Sequence, residues 1–252
     1  MKAIILAAGR GSRMKERTDD QPKCMIKLMD KPLLHWQLGA LRKGGVDDIL
    51  VVRGYLAEKL QGDFSTIDNP YWDKSNMVET LRQAAPWLTD EPCIVSYSDI
   101  VYHPDHVKAI SESEYDIAMT YDTMWRKLWE LRFADPLSDA ETFFQENGTL
   151  KEIGQTALDY SQIQGQFMGL MRFTPKGWKT ISDLLDTLGR DKVAKLDMTA
   201  LFNLLIKEKI NIGVIAVEGK WCEADSASDI NAYEKQILKH SASHSTWSHD
   251  WR

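Results

Sequence analysis

The residues best suited to chemistry are two cations near the N-terminus and two carboxylates placed far apart along the chain. Arg13 carries a fork of donors that fits phosphate oxygens, and Lys23, just after Pro22, adds a compact second positive charge. Ahead of them runs Leu6-Ala7-Ala8-Gly9-Arg10-Gly11-Ser12, whose small side chains let the backbone pass close to a ligand with its N–H groups facing an anion. A dinucleotide fingerprint is excluded because Met14 stands where a third glycine is required, and no Gly-Lys-Ser/Thr follows to make a Walker loop. Asp99 ends Ser96-Tyr97-Ser98-Asp99, where an apolar run meets a loop, and Asp225 ends Trp221-Cys222-Glu223-Ala224-Asp225. Parallel sheets gather ligands outside the carboxyl ends of their strands, which makes both aspartates candidate ligands for a hard cation. On spacing alone each serves equally well as a turn or cap residue.

The elements that must position these groups alternate along the chain. Met1-Lys2-Ala3-Ile4-Ile5-Leu6 predicts a buried strand, Leu33, Leu34, Leu38 and Leu41 recur at helical spacing, Gly44-Gly45 end that helix, and Ile49-Leu50-Val51-Val52 predicts the next strand. Ser75 is expected to cap a helix carrying Met77, Val78, Leu81 and Ala84, with Pro86 near its end and Cys93-Ile94-Val95 opening another strand. This β-α-β alternation predicts an α/β domain with a mainly parallel, Rossmann-like sheet flanked by helices. In the centre, Glu141-Thr142-Phe143-Phe144 and Thr149-Leu150-Lys151-Glu152-Ile153 flank Asn147-Gly148, the signal of a hairpin and hence of a small β insertion. A strand over 167–173, a helix from Pro175, an amphipathic helix with Leu201, Leu204 and Leu205, and a strand over 212–217 follow. Ser226-Ala227-Ser228-Asp229 forms a capping box for the last helix.

Three pieces, Leu6 to Arg13, Pro22-Lys23 and Lys31-Pro32-Leu33, stand in the order and spacing of an L-A-A-G-x-G-x-R, P-K, K-P-L signature. To about residue 238 the chain thereby resembles the sugar-phosphate nucleotidylyltransferases. Ser75-Asn76-Met77 is similar to a segment of their small CTP-dependent relatives, and the glycine-rich G-x-A-x-A of the sugar enzymes is lacking. The resemblance implies a GT-A-like nucleotidyltransferase fold with Arg13 and Lys23 as catalytic cations. It implies nucleotide binding by Leu6, Ala7, Ala8, Gly9, Arg10, Gly11, Ser12 and Asn76, and Mg²⁺ held by Asp99 and Asp225. CTP and a small phosphorylated or phosphonate acceptor are the implied substrates, with pyrophosphate released. Phosphocholine, phosphoethanolamine, a phosphonate and a phosphorylated amino acid amide such as glutamine phosphate are the acceptor types. A sugar-1-phosphate nucleotidylyltransferase using UTP, dTTP or GTP is the alternative, and a non-catalytic nucleotide-binding regulatory subunit is a second. The resemblance sets the hairpin over the acceptor, and the residues themselves suggest a lid drawn from Trp125, Trp129, Arg132 and 164–169. There an aromatic face such as Trp129 would hold an ammonium, Arg132 a phosphate and Gln166 an amide or amine.

At 252 residues the chain has room for one large domain, expected over 1–239, with a loose polar C-terminal tail over 240–252. His240, His244 and His249 lack the spacing of a metal tract, and Trp247 and Trp251 leave docking on a neighbouring subunit in a homo-oligomer open. A net charge of -6 speaks against nonspecific binding to nucleic acid or anionic membrane, so local basic residues must do any phosphate recognition. Cys24, Cys93 and Cys222 are too scattered for a disulfide framework or a zinc site. With no leader-like run ahead of the first strand and no membrane-length apolar stretch, a cytoplasmic location is expected. Arg13 and Lys23 both fall in loops, so replacing either is expected to cost turnover far more than stability.

Overall fold

The apolar runs that alternate with amphipathic segments assemble into one nine-stranded sheet with a hydrophobic core on each face, in a computed structural model that describes residues 1–252. Strand β1 (Lys2–Ala7) leads through a hairpin of β2 (Lys27–Leu28) and β3 (Lys31–Pro32) into helix α1 (Leu33–Lys43), closed by Gly44 as expected. Strands β4 (Asp48–Arg53) and β5 (Ser65–Asp68), helix α2 (Met77–Gln83), strands β6 (Cys93–Tyr97) and β7 (Ile100–Tyr102), and helix α3 (Pro104–Ser111) follow. The middle holds β8 (Ile117–Asp122), α4 (Trp125–Arg132), β9 (Glu141–Glu146), β10 (Thr149–Thr156) and β11 (Gln166–Phe173). Helices α5 (Pro175–Asp186), α6 (Arg190–Lys195) and α7 (Met198–Lys207), strands β12 (Gly213–Val217) and β13 (Trp221–Glu223), and helix α8 (Ala227–Ala242) complete the chain. No helix is long and apolar enough to cross a membrane.

The sheet runs β5-β4-β1-β6-β11-β8-β12-β10-β9. Its first four strands are parallel, but β11 is antiparallel to both neighbours, β8 and β12 are parallel, and β10 and β9 close the far edge antiparallel. The expected mainly parallel sheet is therefore corrected to a mixed one. The β9–β10 hairpin turns at Asn147 and Gly148, both at positive φ (51° and 74°), as its Asn-Gly pair demands.

Two further expectations are corrected. The cap of α2 is Asn76, one residue beyond Ser75: its Oδ1 accepts from the Met77 N–H at 2.8 Å. The C-terminal segment is packed, not loose, and residues 240–242 still belong to α8. Trp247, His249 and Trp251 are buried, Trp251 edge-on to Trp36 and Trp247 beside Tyr233. Burying two indoles outweighs the polar composition around them. The anchor is Asp122 at the end of β8, fully buried, whose carboxylate accepts hydrogen bonds from Met124 N, Gly219 N, Trp221 Nε1 and His249 Nε2 at 2.8–3.0 Å.

Candidate active site

The glycine-bearing loop leaves the carboxyl end of β1 and turns at Gly11 (φ 72°), where a Cβ would lie 2.6 Å from the Lys23 Cδ. That glycine lets the Lys23 stem run inward from its own turn behind Pro22. Lys23 Nζ ends 2.7 Å from Asp99 Oδ2 and 2.7 Å from Asp225 Oδ1, and Arg13 Nη2 lies 3.0 Å from the same Asp225 oxygen. The two loops that deliver the carboxylates are stitched together, since Ala224 N–H donates to the Asp99 carbonyl at 2.8 Å. Four residues from three separate parts of the sequence thus converge at one edge of the sheet.

Burial works against the Lys23 ammonium, yet the facing charges of Asp99 and Asp225 outweigh it and hold its pKa above the ordinary lysine value. Burial likewise opposes ionisation of Asp225, and Lys23, Arg13 and Arg132 together keep it ionised and its pKa below the ordinary range. Glu223 was not singled out from the sequence. It lies two residues before Asp225, on the same side of an extended segment, a period-two signal that could have found it. Its carboxyl joins those of Asp99 and Asp225 within 4.8 Å, and burial followed by the neighbouring Asp225 charge pushes its pKa up to about 7. Asp99 Oδ1 is buried with no hydrogen-bond partner. Three crowded carboxylates with an unpartnered oxygen fit a hard divalent cation.

Arg132 is placed differently from the expectation that it meets a phosphate. Its side chain is 1% exposed, with Nη1 on Glu223 (2.9 Å), Nη2 on Asp225 (3.3 Å) and Nε on Asp229 (3.4 Å). It acts as a buried counter-charge behind the carboxylates. Asp229, in the predicted capping box of α8, accepts from Asp225 N and Ser226 N and so fixes the loop that carries Asp225.

Beside the carboxylates opens a cavity of about 330 Å³. It is lined by the carboxyl residues Asp139, Glu141, Asp197, Glu223 and Asp225 against the single cation Arg13, with the aromatic rings of Tyr97, Phe167 and Trp129. Trp129 and Gln166 reach this cavity as expected, but both are already engaged. Trp129 Nε1 donates to Asp139 Oδ2 at 3.0 Å, and the Gln166 amide clasps the Glu141 backbone, donating to its carbonyl at 2.6 Å and accepting from its N–H at 3.4 Å. Trp125 does not line the cavity; it packs in the core against Trp129 and Tyr160. Glu141 reaches solvent, yet partial burial, then the charges of Asp197 and Asp139, raise its pKa.

Of the expected nucleotide-binding residues, Leu6, Ala7 and Ala8 have buried side chains and offer only backbone. A Cβ on Gly9 would meet no protein atom within 4 Å. Gly11 and Ser12 open the turn that carries Arg13. Arg10 pairs with Asp19 at 2.8 Å and lies over Tyr55, and Asn76 spends its carbonyl on the α2 cap.

A glycine-turned anion loop at a strand end, paired with converging cations and carboxylates, defines a nucleotidyltransferase. Residues 3–141 match the MobA-like NTP transferase domain, and the chain belongs to that family. It is 36% identical to the CTP:phosphoglutamine cytidylyltransferase of Campylobacter jejuni, over 95% of this chain and all of that protein. In fold it is similar to the CTP:phosphocholine cytidylyltransferase of Streptococcus pneumoniae (TM-score 0.70, 19% identity, 94% of this chain and 98% of that one). The inositol-1-phosphate CTP transferase of T. maritima is similar as well (TM-score 0.73, 18% identity, 98% of each chain).

Proposed function

We propose that the protein transfers CMP from CTP to a small phosphorylated acceptor that also carries an ammonium group, releasing pyrophosphate. The observation that carries this reading is the sign of the cavity: five carboxyl residues and one guanidinium beside a cationic phosphate site suit an acceptor that is anionic at one end and cationic at the other. A neutral sugar offers no counter-charge to Glu141, whose carboxyl, unlike those of Asp139, Asp197, Glu223 and Asp225, has no hydrogen-bond or ion-pair partner in the wall. The choice of CTP is supported by the full-length likeness to a cytidylyltransferase.

In the reaction an acceptor phosphate oxygen attacks the α-phosphorus of CTP. A new phosphoanhydride bond forms, the α–β bond breaks, and its electron pair leaves on pyrophosphate. The acceptor oxygen is anionic near neutrality, so no protein nucleophile is needed. Arg13 and Lys23 supply positive charge where negative charge builds, and their fixed placement is the main catalytic contribution. Asp99, Asp225 and Glu223 would hold Mg²⁺, which supplies further neutralisation of phosphate charge when bound. Arg132 keeps the crowded carboxylates in place, and Gln166 sets the Glu141 backbone toward the cavity.

The test is pyrophosphate release from CTP, UTP, dTTP, GTP and ATP with Mg²⁺ across phosphorylated amines, phosphonates and sugars. CTP with an amine-bearing acceptor is expected to be turned over fastest, and Asp99→Asn or Asp225→Asn to abolish it while the fold persists. Preference for UTP or dTTP with a sugar phosphate overturns the reading, and no release with any pair leaves a nucleotide-binding protein without catalysis.

A further inference from the structure

The Arg53-Gly54-Tyr55 corner at the end of β4 takes no part in the chemistry described so far, yet it holds the phosphate loop at both ends. Tyr55 N–H donates to the Ala8 carbonyl at 2.9 Å, and the Tyr55 hydroxyl donates to the Thr18 and Asp19 carbonyls at 2.8 and 3.1 Å. One half-buried residue thus closes the base of the loop that carries Gly9, Gly11 and Arg13. Gly54 permits the close approach: a Cβ there would lie 2.5 Å from the Ala8 carbonyl oxygen and 2.5 Å from Trp72 Cβ. Trp72 in turn meets the Tyr55 ring edge-on, with centroids 5.3 Å apart.

The far arm of this loop needs such a tie. Its Arg13 side chain is mostly exposed, and Lys15 sits at φ 51° and ψ -129°, a conformation that a residue with a side chain keeps only where its surroundings impose it. Thr18 imposes it, since its hydroxyl donates to the Lys15 carbonyl at 3.0 Å, and the carbonyl of that same Thr18 is the one Tyr55 holds. We propose that Tyr55 is a positioning residue for nucleotide transfer: by fixing both ends of residues 8–19 it sets the bare backbone at Gly9 and the Arg13 guanidinium in place before the triphosphate of CTP arrives. The assignment rests on the cytidylyltransferase reading above. Without the hydroxyl the loop is ordered only by CTP itself, and that ordering is taken from the binding free energy of the nucleotide. The acceptor is spared, because Tyr55 does not line the acid-walled cavity.

The test compares the native chain with Tyr55→Phe, which keeps the ring against Arg10 and the backbone bond to Ala8 and removes only the hydroxyl. With CTP, Mg²⁺ and the best acceptor of the panel above, KM for CTP is expected to rise about threefold to tenfold, the fold-change that one hydrogen bond is worth, while kcat and KM for the acceptor hold. Without ligand, trypsin is expected to cut the variant after Lys15 and Arg17 faster than the native chain, and CTP with Mg²⁺ to suppress the difference. A KM for CTP that does not move, a rise shared equally by the acceptor, or equal rates of cleavage in the loop overturns this inference and leaves the cytidylyltransferase reading standing. Native protein that turns over CTP with no acceptor of the panel overturns both.

Discussion

Lys23 and Arg13 carry the same charge to the same carboxylate oxygen, yet their settings make different stability demands. The Arg13 side chain is 68% exposed, and its pair with Asp225 is screened by water, so Arg13→Ala is expected to cost less than about 1 kcal/mol of stability. Lys23 is 8% exposed, and its removal leaves Asp99 and Asp225 facing each other without it, so Lys23→Met is expected to cost about 3–5 kcal/mol. Turnover falls on the order of 10²-fold or more in both. Urea unfolding without divalent metal checks the contrast; equal midpoints for the two variants refute it. The loop position of Lys23 hid this, because burial came from carboxylates 76 and 202 residues away. Arg132 differs from expectation for the same reason: nothing near it in sequence shows that its three partners are acids of β13, of α8 and of the loop between them. A second residue-scale expectation concerns His106 on α3, buried with Nδ1 unpartnered and its pKa lowered to about 4, chiefly by burial. Its unfolded value is near 6.5, so the stability its neutral form contributes is present above that pH. It is lost as pH falls toward 4, up to about 3 kcal/mol. Glu223, with its raised pKa, drives stability the opposite way between about 7 and the ordinary carboxyl range. The difference between the native protein and His106→Leu cancels that contribution, and the pH 7.5-to-5 loss is expected to be smaller in the variant. Parallel pH profiles would remove His106 from the account.

The segment from the end of β12 through β13 to the start of α8 is the part of the chain on which the site depends. It carries Gly219 and Trp221 onto the Asp122 carboxylate and then presents Glu223 and Asp225 to Lys23 and Arg132. Residues 247–251 strap its β12–β13 connection from outside: Lys220 N–H donates to the Ser248 carbonyl at 2.8 Å, and His249 takes its own place on Asp122. Gly219 is indispensable to the fit, since a Cβ there would come within 2.2 Å of the Ser248 carbonyl oxygen. His249→Ala removes one hydrogen bond from a buried charge and is expected to cost about 1.5–3 kcal/mol. It should also raise the Mg²⁺ concentration needed for half-maximal turnover, because Asp225 loses part of its support. An unchanged metal requirement in a destabilised variant would leave the strap a purely structural element. The strap was illegible from the sequence because its two indoles and one imidazole are dispersed among serines and histidines. Their partners Trp36, Tyr233 and Asp122 belong to other elements.

At the scale of the whole molecule, the β-α-β half of the sheet was readable because strand, helix and strand follow one another locally and the crossover forces parallel pairing. The strand at 166–173 was readable as a strand but not in direction. Its apolar run looks the same whether its neighbours run with it or against it, and only its insertion between β6 and β8 decides. The resulting edge brings residues 13, 23, 99 and 225 together, so a ligand bound there is coupled to global stability. Nucleotide at a hundred times its Kd is expected to add about 2.7 kcal/mol, seen as a rise in Tm with CTP and Mg²⁺. An equal rise with GTP would remove the base preference. The strap also imposes an order in time. Every side chain of the charged cluster has been translated once Asp229 is made, but the contacts that strap the β12–β13 connection wait for Ser248 and His249 to emerge. A nascent chain stalled before Ser248 is therefore expected to hold the parallel half of the sheet in a protease-resistant form while lacking CTP turnover. A carboxyl-terminal linker long enough to carry Trp251 clear of the ribosomal tunnel is expected to restore it. The protein is thus expected to stay silent on the ribosome until that strap is free to close.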